Sequence, residues 1–254
     1  MSPIPPDANF LNLPTQWSLL KRAIAGNRSD STKHNAWSQL LQYYLPAVRA
    51  YLMGCTHDAD RTDDLVQKFS LQFLNGGYKH AEQEKGPFRH YLKRSLSNMV
   101  RQEGARREQF EELVDPIHPH TPESREDAEF LAEYVNTLLD LAWSTLRSEQ
   151  VSTGTPYYDF LKCSADNPSW TSEELAAEAS TNQLEKYSAE RFRKILSRAR
   201  HKFATRVYQQ VADGLADPTP DAVAEELADL KLLSYCSTVV KQQQRATVGL
   251  SPID

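Results

Sequence analysis

Apolar residues recur at i, i+3, i+4 and i+7 through most of this chain, and that period leaves few folds open. A half-buried strand needs alternation every second residue, and such runs are nearly missing. Each patterned segment offers one apolar stripe, which must be buried against another stripe. The expected class is therefore all-α. Helices are predicted over 16–26, 35–53, 60–74, 88–107, 126–146, 157–161, 173–179, 188–211 and 221–233. Leu65, Val66, Phe69, Phe73 and Leu74 share a face of the third, and Asp60 or Thr62 is placed to cap it. Phe192, Ile195, Leu196, Ala199, Phe203 and Val207 share a face of the eighth. Thr171 and Glu174 have capping-box spacing, and Pro46 is a candidate kink. The final twenty residues carry no pattern and are expected to be mobile or held by a partner.

With 254 residues, the chain is long enough for one large or two small domains at roughly 100–200 residues each. Nine glycines argue against glycine-rich phosphate loops and barrels. The proline-rich stretch 116–122 is the best boundary. No run approaches the ~18 apolar residues of a spanning helix, so no membrane insertion is expected. The opening Met1-Ser-Pro-Ile-Pro-Pro lacks the basic and apolar parts of a secretory signal, which points to a cytoplasmic protein.

Enzyme chemistry finds little to stand on. Cys55, Cys163 and Cys236 are odd in number and far apart, with no metal or disulfide spacing. His118 and His120 flank Pro119 without an acidic or thiol partner at metal spacing. No GxGxxG, phosphate-loop, GxSxG or HExxH motif occurs. Asp63 and Asp64 are adjacent, so on a helix they do not face each other as an acid–base pair. No catalytic residue, metal or cofactor is expected.

The formal net charge of -5 argues at first against a polyanion partner. Its distribution argues the other way: residues 16–107 carry +7 and 188–206 carry +6, while 108–153 carry -9, 154–187 carry -4 and 207–233 carry -5. Both basic blocks lie on helical pattern, as expected of polyanion contact by part of the chain. In the first block Arg89, Lys93, Arg94 and Arg101 interleave with Phe88, His90 and Tyr91 beside Asn98, a mixture suited to single-stranded nucleic acid. In the second, a short helix, a turn and a long helix with a basic outer face form a helix-turn-helix pattern.

Asp-Asp-Leu-Val-Gln-Lys-Phe-Ser-Leu-Gln-Phe-Leu (63–74), followed by Gly-Pro-Phe-Arg-His-Tyr-Leu-Lys-Arg-Ser-Leu-Ser-Asn (86–98), resembles region 2 of extracytoplasmic-function (ECF) sigma factors. Glu-Leu-Ala-Ala-Glu-Ala (174–179) and Ser-Ala-Glu-Arg-Phe-Arg-Lys-Ile-Leu-Ser-Arg-Ala-Arg-His-Lys-Phe (188–203) resemble region 4. Thr15-Gln-Trp-Ser-Leu-Leu, the long helix at 126–146 and the acidic segment after 211 resemble a large-bodied subgroup.

The resemblance implies two helical domains: a region 2-like bundle (15–107) and a region 4-like domain (126–211), with an acidic linker (108–125) between them and an acidic helix and tail (212–254) after them. It implies core RNA polymerase and promoter DNA as partners, together with an anti-sigma protein. Asp63, Asp64, Gln67 and Phe69 would meet polymerase. Arg89, Tyr91, Arg94, Asn98 and Arg101 would hold the melted -10 strand. Arg191, Arg193, Lys194, Ser197, Arg198, His201 and Lys202 would meet the -35 duplex. A sigma-like adaptor that does not itself initiate transcription is the alternative. The turn 180–187 is longer than usual in the family, and 150–170 is larger than in compact members.

Overall fold

The computed structural model describes residues 30–75, 87–108, 125–183 and 186–247. Every regular element among them is helical: α1 (Asp30–Thr56), α2 (Ala59–Leu74), α3 (Phe88–Glu108), α4 (Arg125–Thr153), α5 (Tyr157–Asp166), α6 (Ser172–Gln183), α7 (Ala189–Asp213), α8 (Pro220–Asp229) and α9 (Leu233–Thr247). None is long and apolar enough to cross a membrane. The helix expected over 16–26, the linker stretch 109–124 with both its histidines, and residues 248–254 lie outside the described residues.

The chain divides into two compact units. One contains α1, α2, α3, α4 as far as Thr137, the end of α7 and the start of α8. The other contains α4 from Leu138, α5, α6, α7 as far as Gln209, and the chain from Leu227 through α9. The division therefore falls within α4 and not in the segment 108–125. Nothing in the sequence of α4 breaks a helix: no proline or glycine interrupts its 29 residues.

The first unit has an aromatic core. The apolar faces of α1, α2 and α3 bring Tyr44, Phe69, Phe73 and Phe88 to 4% exposure or less. Tyr44 stacks on Tyr134 with ring centres 5.7 Å apart, and Phe88 meets Tyr44 edge-on at 5.3 Å. Burial pushes the Tyr44 phenol well above its ordinary range, and its Tyr134 neighbour adds to the effect. Pro46 lies on the exposed face of α1, where the missing backbone donor is opposite water, and the helix runs through it. A methyl at Gly54 would meet Glu129 Oε2 at 2.8 Å, so the glycine permits the close approach of α1 and α4.

The tight α1–α2 joint is made by His57 and Asp58. His57 adopts φ 52° and donates its backbone N–H to the Met53 carbonyl at 2.9 Å. Asp58, not Asp60 or Thr62, caps α2, its carboxylate accepting from the Arg61 N–H at 3.1 Å. Thr62 is instead fully buried one turn in, its hydroxyl 2.7 Å from the Asp58 carbonyl and 2.7 Å from the Thr56 hydroxyl.

In the second unit α5, α6 and α7 follow one another as three helices, with Phe160, Leu175 and Phe192 buried. Phe160 is 1% exposed, stacked on Phe192 at 4.7 Å and met edge-on by Tyr187 at 4.9 Å. Burying one such ring stabilises the fold by about 1.5–3 kcal/mol. The capping box forms as predicted, with Thr171 N–H reaching Glu174 Oε2 at 2.7 Å and Glu174 N–H reaching Thr171 Oγ1 at 3.3 Å. The long turn shortens, because α6 continues to Gln183. Tyr187 N–H donates to Ser180 Oγ at 2.9 Å, and Ser188 Oγ accepts from Arg191 N–H at 3.2 Å to start α7.

The last residues depart from expectation. Residues 233–247 form α9, anchored by buried Cys236, Val239 and Val240. Burial raises all three thiols: Cys55 to about 12, reinforced by the Glu126 carboxylate, Cys236 to about 11, and Cys163 above its ordinary value.

Candidate nucleic-acid interface

Two clefts, one in each unit, collect half of the residues singled out by the sequence. The first lies between α2 and α3. Their inner faces are consumed by Phe69, Leu96 and Met99, so the adjoining polar positions come to line an open groove of about 870 Å³. Asp64, Gln67 and Gln72 of α2, with Ser95, Asn98 and Gln102 of α3, supply donors and acceptors. Lys68 lies among them, its ammonium 3.0 Å from Glu103. Leu71, 56% exposed, adds an apolar spot to the same wall. Asp64 and Gln67, expected at polymerase, thus share a groove with Asn98, expected at the strand.

The remaining first-unit residues divide. Arg94 and Arg101 are exposed on α3. Tyr91 is half-buried, its ring 6.1 Å from Phe88. Asp63 is exposed and pairs with Arg49. Two expectations are corrected. Phe69 is 0% exposed, its ring 5.4 Å from Phe73, and therefore belongs to the core. Arg89 is 5% exposed; Nε donates to Glu226 Oε1 at 2.5 Å and Nη2 to Oε2 at 2.8 Å. Its position on the inward face of α3 makes it a structural cation held by α8.

The second cleft lies beside α7. Apolar Phe192, Leu196, Ala199 and Phe203 turn inward, leaving Arg191, Arg193, Lys194, Ser197, Arg198 and His201 exposed. The Arg191 guanidinium lies 4.8 Å from the centre of the Tyr187 ring, and Lys194 pairs with Glu190 at 2.7 Å. Lys202 is corrected in role: it is half-buried and bonded to buried Glu149 at 3.1 Å, which Arg206 also reaches. Glu149 sits on the inner side of α4, so two α7 cations are spent on fixing that helix.

Sequence reasoning missed three members of this cleft. Trp170 and Tyr235 are 40% and 43% exposed, and Arg200 donates to Ser164 Oγ at 3.3 Å. Trp170 carried a usable signal, since it is a large ring in a polar turn with no stripe to join. Tyr235 required recognising α9. Comparisons of the chain with protein-family models, curated proteins and solved structures return no match.

Proposed function

We propose that the protein is a sigma factor that binds core RNA polymerase and directs promoter-specific initiation. The observation that carries this reading is the outer face of α7: a cationic face on a long helix that follows a short one, with Phe192, Leu196, Ala199 and Phe203 of its other face buried, which is what a helix-turn-helix reader would need. Arg191, Lys194 and Arg198 would enter the -35 major groove, where basic groups reach base edges and phosphates. The α2–α3 groove is the second support. Asn98, Arg94, Arg101 and Tyr91 would serve the melted -10 strand, with Asp64 and Gln67 toward polymerase. An anti-sigma protein covering these surfaces belongs to the same reading.

In-vitro transcription with core polymerase tests it. A promoter-specific transcript is expected, and its absence at every protein concentration would sink the reading. Arg191→Ala with Lys194→Ala should weaken binding to a cognate -35 duplex by about 1–3 kcal/mol per base-specific contact. One observation favours the adaptor alternative: Arg89, placed at the melted strand by the resemblance, is enclosed with Glu226. Co-purification that recovers an inhibitor but never polymerase would support the adaptor.

A further inference from the structure

The cleft beside α7 has a one-sided charge composition. Arg193, Arg198, Arg200 and His201 line it, beside Lys202, whose charge Glu149 already holds, and no carboxylate is among its lining residues. In a chain of net charge -5, an acid-free cleft of this kind is a place for an anion. Arg193 and Arg198 are exposed and hold no ion pair among the described residues.

Its second peculiarity is aromatic. Four large hydrophobic side chains are exposed among the described residues, and the two aromatic ones, Trp170 and Tyr235, both line this cleft. They come from different elements, the α5–α6 turn and α9. Tyr235 is seated edge-on against Phe203 at 5.9 Å, so its position is set by packing. The Arg200 guanidinium is near enough to Tyr235 to counter the rise that burial gives its phenol. Ser164, Ser172, Ser197, Ser234 and Thr238 add small hydroxyls.

At about 100° per residue, α7 presents two distinct cationic faces. Arg191, Lys194, Arg198 and His201 turn outward. Arg193, Ser197, Arg200 and Ala204 turn toward α9, with Arg198 and His201 on the rim shared by both. A duplex entering from outside meets the first set. The second set lies in a trough flanked by helix α9 and the turn carrying Trp170.

We propose that this trough is a binding site for single-stranded nucleic acid, separate from the duplex-facing side of α7. Arg193, Arg198 and Arg200 take successive phosphates, and Trp170 and Tyr235 provide stacking platforms for unpaired bases. Free bases offer a π-face whatever their sequence, so the site is tolerant of sequence. Two platforms from two elements and three guanidinium groups exceed what one nucleotide occupies, which favours a strand over a mononucleotide.

Fluorescence anisotropy of the full chain with a labelled eight-nucleotide oligo(dT) tests the proposal. Binding is expected, with log affinity falling against log salt at a slope of roughly -2 for three neutralised phosphates. Trp170→Ala and Tyr235→Ala should each weaken it by roughly tenfold. Trp170→Phe and Tyr235→Phe, which keep a ring, should retain most of it. Arg191→Ala with Lys194→Ala should leave the strand affinity unchanged, whatever it does to a -35 duplex. That arm separates this site from the sigma-factor reading, since either can fail without the other. The proposal is overturned if the wild-type chain does not bind the oligonucleotide. It is also overturned if the ring-to-alanine variants, folded by circular dichroism, bind like wild type, or if thymidine monophosphate competes as well as the strand.

Discussion

Glu226 and Arg89 meet inside an apolar core, so removing Glu226 takes away the carboxylate that Arg89 holds in two bonds. Glu226→Gln should cost about 3–5 kcal/mol in urea unfolding, whereas the paired change Arg89→Met with Glu226→Leu should come close to wild type. Asp213 poses the opposite problem. Burial pushes its carboxyl from an ordinary 3.8 up to about 6. The folded chain then binds that proton more tightly than the unfolded chain. Its contribution is therefore complete below about pH 4 and is lost as pH rises through about 6. Partial exposure screens the effect, which leaves about 1 kcal/mol at neutral pH. Asp213→Asn should raise stability at pH 7 by about that amount and flatten the slope between pH 4 and 6, as read from urea midpoints at several pH values.

Among the elements, the α1–α2 joint holds His57 at a positive φ that a side chain disfavours. His57→Gly relieves that conformation while keeping the backbone bond to Met53, so thermal unfolding should show a gain of about 0.5–1 kcal/mol. The elements were the most legible part of the sequence. Leu65, Phe69 and Phe73 in α2, and Phe192, Leu196 and Ala199 in α7, are buried at the spacing that announced them. Helix α9 was not legible. Its buried positions, Cys236, Val239 and Val240, are embedded among Ser234, Ser237, Thr238 and three successive glutamines, so the stripe is too thin to show. The candidate site was half legible. Charge on α7 could be counted, but periodicity alone did not reveal that Arg89 and Lys202 turn inward, because their fates depend on Glu226 and Glu149, distant in sequence. Trp170 and Tyr235 come together only through tertiary packing.

For the molecule as a whole, the first unit is discontinuous: residues 210–226 complete a bundle otherwise built from residues before 138. A chain ending at residue 211 loses both Glu226 and fully buried Val223. Its remaining bundle should melt well below the same unit in the full chain, by differential scanning calorimetry. Arg89→Met in the shortened chain should recover part of the loss, because no buried guanidinium is then left lacking the Glu226 carboxylate. The segregated charge has a consequence at the same scale: basic surfaces offset by an acid surplus elsewhere predict weak, salt-sensitive association with arbitrary DNA, measurable by filter binding at low and moderate salt.

The three cysteines, each held in its protonated form by burial, make the chain chemically quiet toward thiol reagents near neutral pH. A maleimide should therefore select an added surface cysteine over the native ones. L71C, on the rim of the α2–α3 groove, then becomes a place to tether a photo-crosslinker without first stripping the native thiols. Whatever docks in that groove would be captured covalently and identified by the peptide it leaves behind.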